Sequence, residues 1–340
     1  MAEISKKKPV FKINDDLREY LRKYDREVVL PIKYADLQRY DNSISLLDRD
    51  DEDTFWETVF YPQNEIEEIN LNLKKIYAIL RADGDLSVMK HLYIERIDLC
   101  VYGNTQPFRV RVVNKINDNF DYFYIKNADA SRIYGLELEH LLSPNRMSYF
   151  VDGETIIEEH IVGIPGDMFI KNYLNNKQHL NEIRLAKEFV KFNERCFLRL
   201  LGDMHSSNFV IDITPDFDDV SYRIRAIDFD QQSYDGRISI YMPKYYKQNN
   251  PLIDIGVNNM TVETMEQYQK EERSLIAVRL KSSYEQITEL LIAMKQDSIS
   301  SSANIENLKK DLADHYQDEK FLTCKNMGEL VKASLETVIQ

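Results

Sequence analysis

The apolar positions of this chain change period along its length, and each change marks a different kind of segment. In residues 66–80, Ile66, Ile69, Leu73, Ile76, Tyr77 and Leu80 fall on one helical face. Residues 15–24 repeat that spacing with mixed charge, and 48–53 form an acidic connector, so residues 1–90 read as a mostly helical extension. Ala82-Asp83-Gly84-Asp85 breaks the helix. From His91 the period drops to two: residues 92–99, 108–113 and 120–126 alternate as strands, separated by turns at Tyr102-Gly103-Asn104 and Asn117-Asp118-Asn119. Residues 131–142 return to helical spacing, and 147–151 with 155–161 form a hairpin around Asp152-Gly153.

Beyond Gly166 the pattern is mainly helical. Residues 167–200 carry it with a polar interruption at Asn175-Asn176-Lys177, and Phe189, Val190, Phe192, Phe197, Leu198 and Leu200 make the last part strongly apolar. Residues 209–212 and 221–227 read as two short strands around an acidic turn at 214–219. Helix follows over 262–295 with a break near Ser282-Ser283, then over 304–315 and 326–338. Antiparallel strands followed by a run of helices predict an α+β fold.

Composition narrows the class of protein. A chain of 340 residues with 43% hydrophobic and 30% charged content has enough apolar sequence for a large core and enough charge for a solvated surface. The net charge of −13 disfavours nucleic acid and anionic membranes as partners, because attraction to phosphate dominates both. Cys100, Cys196 and Cys324 are too far apart to suggest a disulfide framework or a zinc site, which fits a reducing, cytoplasmic setting. The lysine-bearing residues 1–9 lead into no apolar signal segment, and no run of about 18 apolar residues predicts a membrane span.

The candidate chemistry lies in Leu201-Gly202-Asp203-Met204-His205-Ser206-Ser207-Asn208 and Ala226-Ile227-Asp228-Phe229-Asp230. An Asp, an Asn five residues on, a hairpin and then an Asp closing an apolar strand can set a base and two magnesium ligands around a nucleotide phosphate. Asp-x-His also opens the metal motif of metallophosphoesterases. That fold needs further histidine motifs downstream, where only His315 occurs.

The two segments resemble the catalytic and metal-binding loops of the protein kinase-like superfamily, in its aminoglycoside/choline phosphotransferase branch. There the pattern runs His-Gly-Asp-x-His-x-x-Asn and Ile-Asp-Phe-Asp/Glu. Gly202, Asp203, His205 and Asn208 match, Leu201 stands where the family usually has His, and Asp230 replaces a glycine of eukaryotic protein kinases. The resemblance implies a bilobal fold: the extension over 1–90, a small antiparallel β-sheet N-lobe over 91–162 and a mainly helical C-lobe over 163–340. It implies Asp203 as the residue that orients the acceptor hydroxyl, Asn208 and Asp228 as Mg²⁺ ligands, and His205 as a holder of the loop.

By the same resemblance Lys126, at the end of the third strand, would meet the ATP α- and β-phosphates. Glu137 sits among the apolar positions of 131–142 with Lys126 as its natural partner, whereas Glu139 points away from that face. Backbone groups of Glu159 and Ile161 would read the adenine edge, and Arg237, Lys244 and Lys247 are candidate acceptor contacts. The expected activity is ATP- and magnesium-dependent transfer of phosphate to a hydroxyl of a small molecule. An atypical protein Ser/Thr kinase and a non-catalytic pseudokinase-like module remain alternatives, the latter because the turn after the first strand holds only Gly103 and lacks a glycine-rich loop.

Overall fold

The computed structural model describes residues 8–48, 51–102, 105–174, 180–216 and 219–339. The turn at Gly103-Asn104, the interruption at Asn175-Asn176-Lys177 and the tip of the acidic turn at 217–218 lie outside the described residues. The chain divides into two compact units, one of residues 1–129 with 147–160, the other of 130–146 with 161–340.

The first unit is built on a seven-stranded antiparallel sheet. Its strands are β1 (Asn42–Leu47), β2 (Asp53–Phe60), β3 (Leu92–Cys100), β4 (Phe108–Asn114), β5 (Phe120–Asn127), β6 (Tyr149–Asp152) and β7 (Thr155–Glu159), in the order β1-β2-β3-β4-β5-β7-β6. Helices α1 (Asp15–Lys23), α2 (Tyr34–Leu37) and α3 (Ile66–Ala82) accompany it. Asn14 starts α1 by accepting from the Leu17 N–H at 2.7 Å. The expected apolar face of α3 is buried: Leu73 and Ile76 share one core with Ile97, Phe108, Val110, Phe123, Ile125 and Ile157.

Residues 1–90 therefore differ from the helical extension expected. β1 and β2 pair through Ile44↔Thr58 and their neighbours, and β2 pairs onward to β3 through Trp56↔Cys100. The acidic connector joins β1 to β2, with the Asp48 N–H bonded to Glu52 O at 2.9 Å, and its residues 49–50 lie outside the described residues. The burial of β1 does not alternate between core and solvent, so the period-two signal that marked the later strands is missing here.

The second unit holds α4 (Ala130–Leu142), the two-residue strand β8 (Ile164–Pro165), α5 (Gly166–Asn172), α6 (Glu182–Arg199), β9 (Phe209–Asp216) and β10 (Asp219–Ala226). It continues with α7 (Asn250–Asn259), α8 (Val262–Ser282), α9 (Tyr284–Gln296), α10 (Ser302–Tyr316) and α11 (Met327–Glu336). β8, β9 and β10 form a small antiparallel sheet. The expected break near Ser282-Ser283 separates α8 from α9.

α6 is the spine of this unit and packs on α4, α7, α8, α11 and β10. Its buried side includes Phe189, Phe192, Phe197 and Leu198. It stops at Leu200, which adopts the left-handed conformation at φ 53° and turns the chain into the loop that follows. Among the described residues no helix is long and apolar enough to cross a membrane.

Candidate active site

Asp203 sits at the second left-handed position of this turn, φ 62°, three residues after Leu200. Several backbone bonds hold it there. The Asp203 N–H donates to Ile240 O at 3.1 Å, the Gly202 N–H to Gln231 O at 3.2 Å, and the Ser233 N–H to Leu200 O at 2.8 Å. Gly202 is needed here for space: a Cβ would stand 2.9 Å from Ile240 Cγ2 and 3.0 Å from Gln231 O. Its φ is not among the positive ones, so the requirement is for space and not for a left-handed backbone.

The Asp203 carbonyl accepts twice, from the His205 N–H at 3.0 Å and from Asn208 Nδ2 at 2.8 Å. With its amide nitrogen spent on the loop, Asn208 keeps Oδ1 as a hard oxygen donor, and among the described residues no group donates to that atom. The Ile227 N–H then bonds to Asn208 O at 3.0 Å, which brings Asp228 beside the loop. His205 acts as a cap, its Nδ1 accepting from the Ser207 N–H at 3.3 Å, and its Nε2 lies 4.0 Å from Asp203 Oδ1. The expected loop-holding role of His205 matches this geometry.

The Asp203 carboxyl is raised to about 6 in all, with burial as the largest cause. His205 pulls in the opposite direction, while the carboxylates of Asp228, Asp235 and Asp230 raise it further. Tyr246 is the aromatic wall: its ring faces His205 at 6.1 Å, its OH donates to Ile240 O at 2.9 Å, and burial together with the Asp203 charge pushes its phenol up. Behind the loop, Asn249 Nδ2 donates to Met204 O at 3.0 Å and to Pro243 O at 2.7 Å.

Leu201, where a histidine was expected, is fully buried. The polar contacts at this level come from Gln232, whose Nε2 donates to Arg199 O at 2.5 Å and to Ser233 Oγ at 2.8 Å. Asp228 Oδ1 accepts from the Asp230 N–H at 3.0 Å and from Arg132 Nη1 at 3.0 Å, and the same Nη1 lies 2.6 Å from Asp230 Oδ1. Arg132, Gln232, Asp235, Tyr246 and Asn249 were not anticipated. Their partners lie far off along the chain or on turns without a motif, and the one local signal was an arginine in the first turn of an apolar helix.

Among the described residues no group of three or more His, Cys, Asp or Glu side chains is arranged to hold a metal ion by itself. Magnesium is commonly held by one or two protein oxygens, with phosphate and water completing its shell. Asn208 Oδ1 and the Asp228 carboxylate are oxygen donors of the kind such an ion takes.

The candidate nucleotide contacts are split between the units. Lys126, in the first unit, is buried and ion-paired with Glu158 at 2.9 Å. Glu159, also in the first unit, has its N–H bonded to Ser148 O at 3.0 Å, its Oε1 to the Ser148 N–H at 2.8 Å and its Oε2 to Arg81 at 3.0 Å. That N–H is committed to Ser148, the residue before β6.

Glu137 and Ile161 belong to the second unit and are buried. Gln286 Nε2 donates to Glu137 Oε2 at 3.3 Å. Glu139 does not point to solvent as expected: it is buried, paired with Arg199, and accepts from Asn145 Nδ2 at 2.9 Å. Burial works to raise its carboxyl, and Arg199, Ser143 and Asn145 outweigh that and bring it below the ordinary value. Of the candidate acceptor contacts, Arg237 is engaged by Asp235 through two bonds of 3.1 Å, while Lys244 and Lys247 are exposed.

No protein-family model and no curated protein matches this chain. Among solved structures, titin kinase and its flanking domains aligns with a TM-score of 0.27 at 11% identity, over 74% of this chain and 48% of that one. This chain spans about half the length of that structure, and a likeness of this degree carries no weight in the functional reading.

Proposed function

We propose that this chain is an ATP- and magnesium-dependent phosphotransferase with a hydroxyl acceptor, the first unit serving as the sheet lobe and the second as the helical lobe of a protein kinase-like fold. The observation that carries the reading is the bonding of the two loops within the second unit, the Ile227 N–H to Asn208 O at 3.0 Å. Asn208 is bonded to the carbonyl of Asp203, and Asp228 lies close enough for its charge to raise the Asp203 carboxyl.

In this mechanism the Asp203 carboxylate accepts a hydrogen bond from the acceptor hydroxyl and fixes its oxygen for in-line attack on the γ-phosphorus. The new O–P bond forms as the bond from phosphorus to the β,γ-bridging oxygen breaks, ADP departs, and the acceptor proton passes to Asp203. Base catalysis of this kind contributes about 10²- to 10⁴-fold. A magnesium ion held by Asn208 Oδ1 and Asp228 would neutralise charge on the nucleotide phosphates. Lys126 is proposed as a phosphate contact, with Glu158 as the carboxylate that orients it within its own sheet.

The acceptor is proposed to be a small hydroxylated molecule. ATP turnover measured over a panel of such molecules and of proteins tests this, with Asp203→Asn as control. Turnover confined to proteins redirects the proposal to an atypical Ser/Thr kinase. A second reading has one observation in its favour: Arg132 already holds Asp228. A non-catalytic module would show nucleotide-dependent thermal stabilisation with no turnover on any acceptor.

A further inference from the structure

Asp228, read above as a magnesium ligand, already faces a cation supplied by the protein. Arg132 reaches it from the first turn of α4, with Nη1 3.0 Å from Asp228 Oδ1 and 2.6 Å from Asp230 Oδ1. Only 2% of the arginine side chain is exposed. The helix that carries it is tied to the same loop: Ser131 Oγ donates to Gln232 O at 2.6 Å, and Gly135 lets the two backbones approach so closely that a Cβ would stand 3.0 Å from Phe229 Cβ. Protein groups alone thus fix the orientation of Asp228.

A guanidinium stays charged at any pH a folded protein tolerates. It offsets one of the two negative charges that the carboxylates of Asp228 and Asp230 carry. A divalent ion approaching Asp228 alone meets this fixed positive charge at short range, in surroundings that screen it less than water does. An ion arriving with the phosphates of a nucleotide brings negative charge with it, and the balance reverses. We infer that Arg132 is a positioning residue that holds the Asp228 carboxylate ready and keeps affinity for the free ion low, so that metal and nucleotide are taken up together. The inference rests on the reading of Asp228 as a metal ligand.

Electron paramagnetic resonance of Mn²⁺ titrated into the metal-free full chain, with and without ADP, tests this without any turnover. Arg132→Met removes the positive charge nearest the ion and is expected to tighten binding of Mn²⁺ alone by roughly tenfold or more and to narrow the difference that ADP makes, while Arg132→Lys keeps the charge and stays near the parent. Asp230→Asn leaves the guanidinium to Asp228 alone and is expected to weaken Mn²⁺ binding. Unchanged or weaker binding in a folded Arg132→Met overturns the inference. If that variant does not fold, unchanged or tighter binding in Asp230→Asn overturns it instead. A parent chain that binds no Mn²⁺ in either condition removes the metal-ligand reading itself, a failure recognisable before any variant is made.

Discussion

The Asn208 amide nitrogen lies 2.8 Å from the main-chain carbonyl of Asp203, so one side chain is tied to the proposed base and keeps its oxygen for a cation. These two roles separate by substitution. Asn208→Ala loses both, with an expected loss of about 0.5–1.5 kcal/mol in stability and roughly tenfold or more in Mn²⁺ affinity in the presence of ADP. Asn208→Asp restores an oxygen ligand but cannot donate to the Asp203 carbonyl. Metal affinity should recover while turnover stays low; recovery of both would show that the backbone clamp is dispensable.

Asp203 places activity and stability in opposition. Its carboxyl is raised in the folded state, so between about pH 4 and pH 6 the folded chain binds more protons than the unfolded one. Stability therefore falls as pH rises through that window, and the full penalty is present above it. Asp203→Asn removes the charge. In metal-free buffer its melting temperature should exceed that of the parent at pH 7.5 and converge with it near pH 4, while turnover falls by about 10²-fold or more. A parent that melts higher than Asp203→Asn at pH 7.5 would contradict the raised carboxyl.

What was legible in the sequence follows from how local each signal is. Strands β3, β4 and β5 were readable because their apolar and polar positions alternate, whereas β1 and β2 expose residues such as Ile44, Phe55 and Phe60 and carry no such rhythm. The tie between Asn208 and the Asp203 carbonyl spans five residues and so falls within one short window. Arg132 meets Asp228 across 96 residues and Asn249 meets Met204 across 45, and no short window encodes either meeting. Apolar spacing separates Glu137 from Glu139 only if α4 has a wet face, yet every residue of α4 except His140 is buried. A helix enclosed on all sides gives periodicity nothing to report.

The Glu139 and Arg199 pair that the wet-face assumption hid couples two opposite charges inside the second unit. Both side chains are almost wholly buried. Arg199→Met strands the Glu139 carboxylate and should cost about 3–5 kcal/mol in chemical denaturation. The double variant Glu139→Gln with Arg199→Met should recover much of that loss, since neither charge is then buried alone. Because the Glu139 carboxyl lies below its ordinary value, the contribution of the pair is present above about pH 4.5 and disappears as pH falls through the lowered value. Additive single losses in the double variant would refute the coupling.

Gly135 decides how closely α4 approaches the Asp228 loop, and two effects compete on its replacement. Alanine improves helix propensity by up to about 1 kcal/mol. Its Cβ, however, would meet Phe229 Cβ at 3.0 Å and Gln232 Cβ at 3.2 Å, and both of those residues are buried and held by their own neighbours. Relief by a shift of a few tenths of an ångström moves Arg132, one turn earlier, relative to Asp228. Gly135→Ala should therefore keep its denaturation midpoint within about 1 kcal/mol of the parent while its turnover and Mn²⁺ affinity in the presence of ADP both change by several-fold. Gly135→Leu overfills the same contact and should lose about 1–3 kcal/mol. A Gly135→Ala variant with parental turnover and parental metal affinity would mean that the spacing between α4 and this loop does not govern the site.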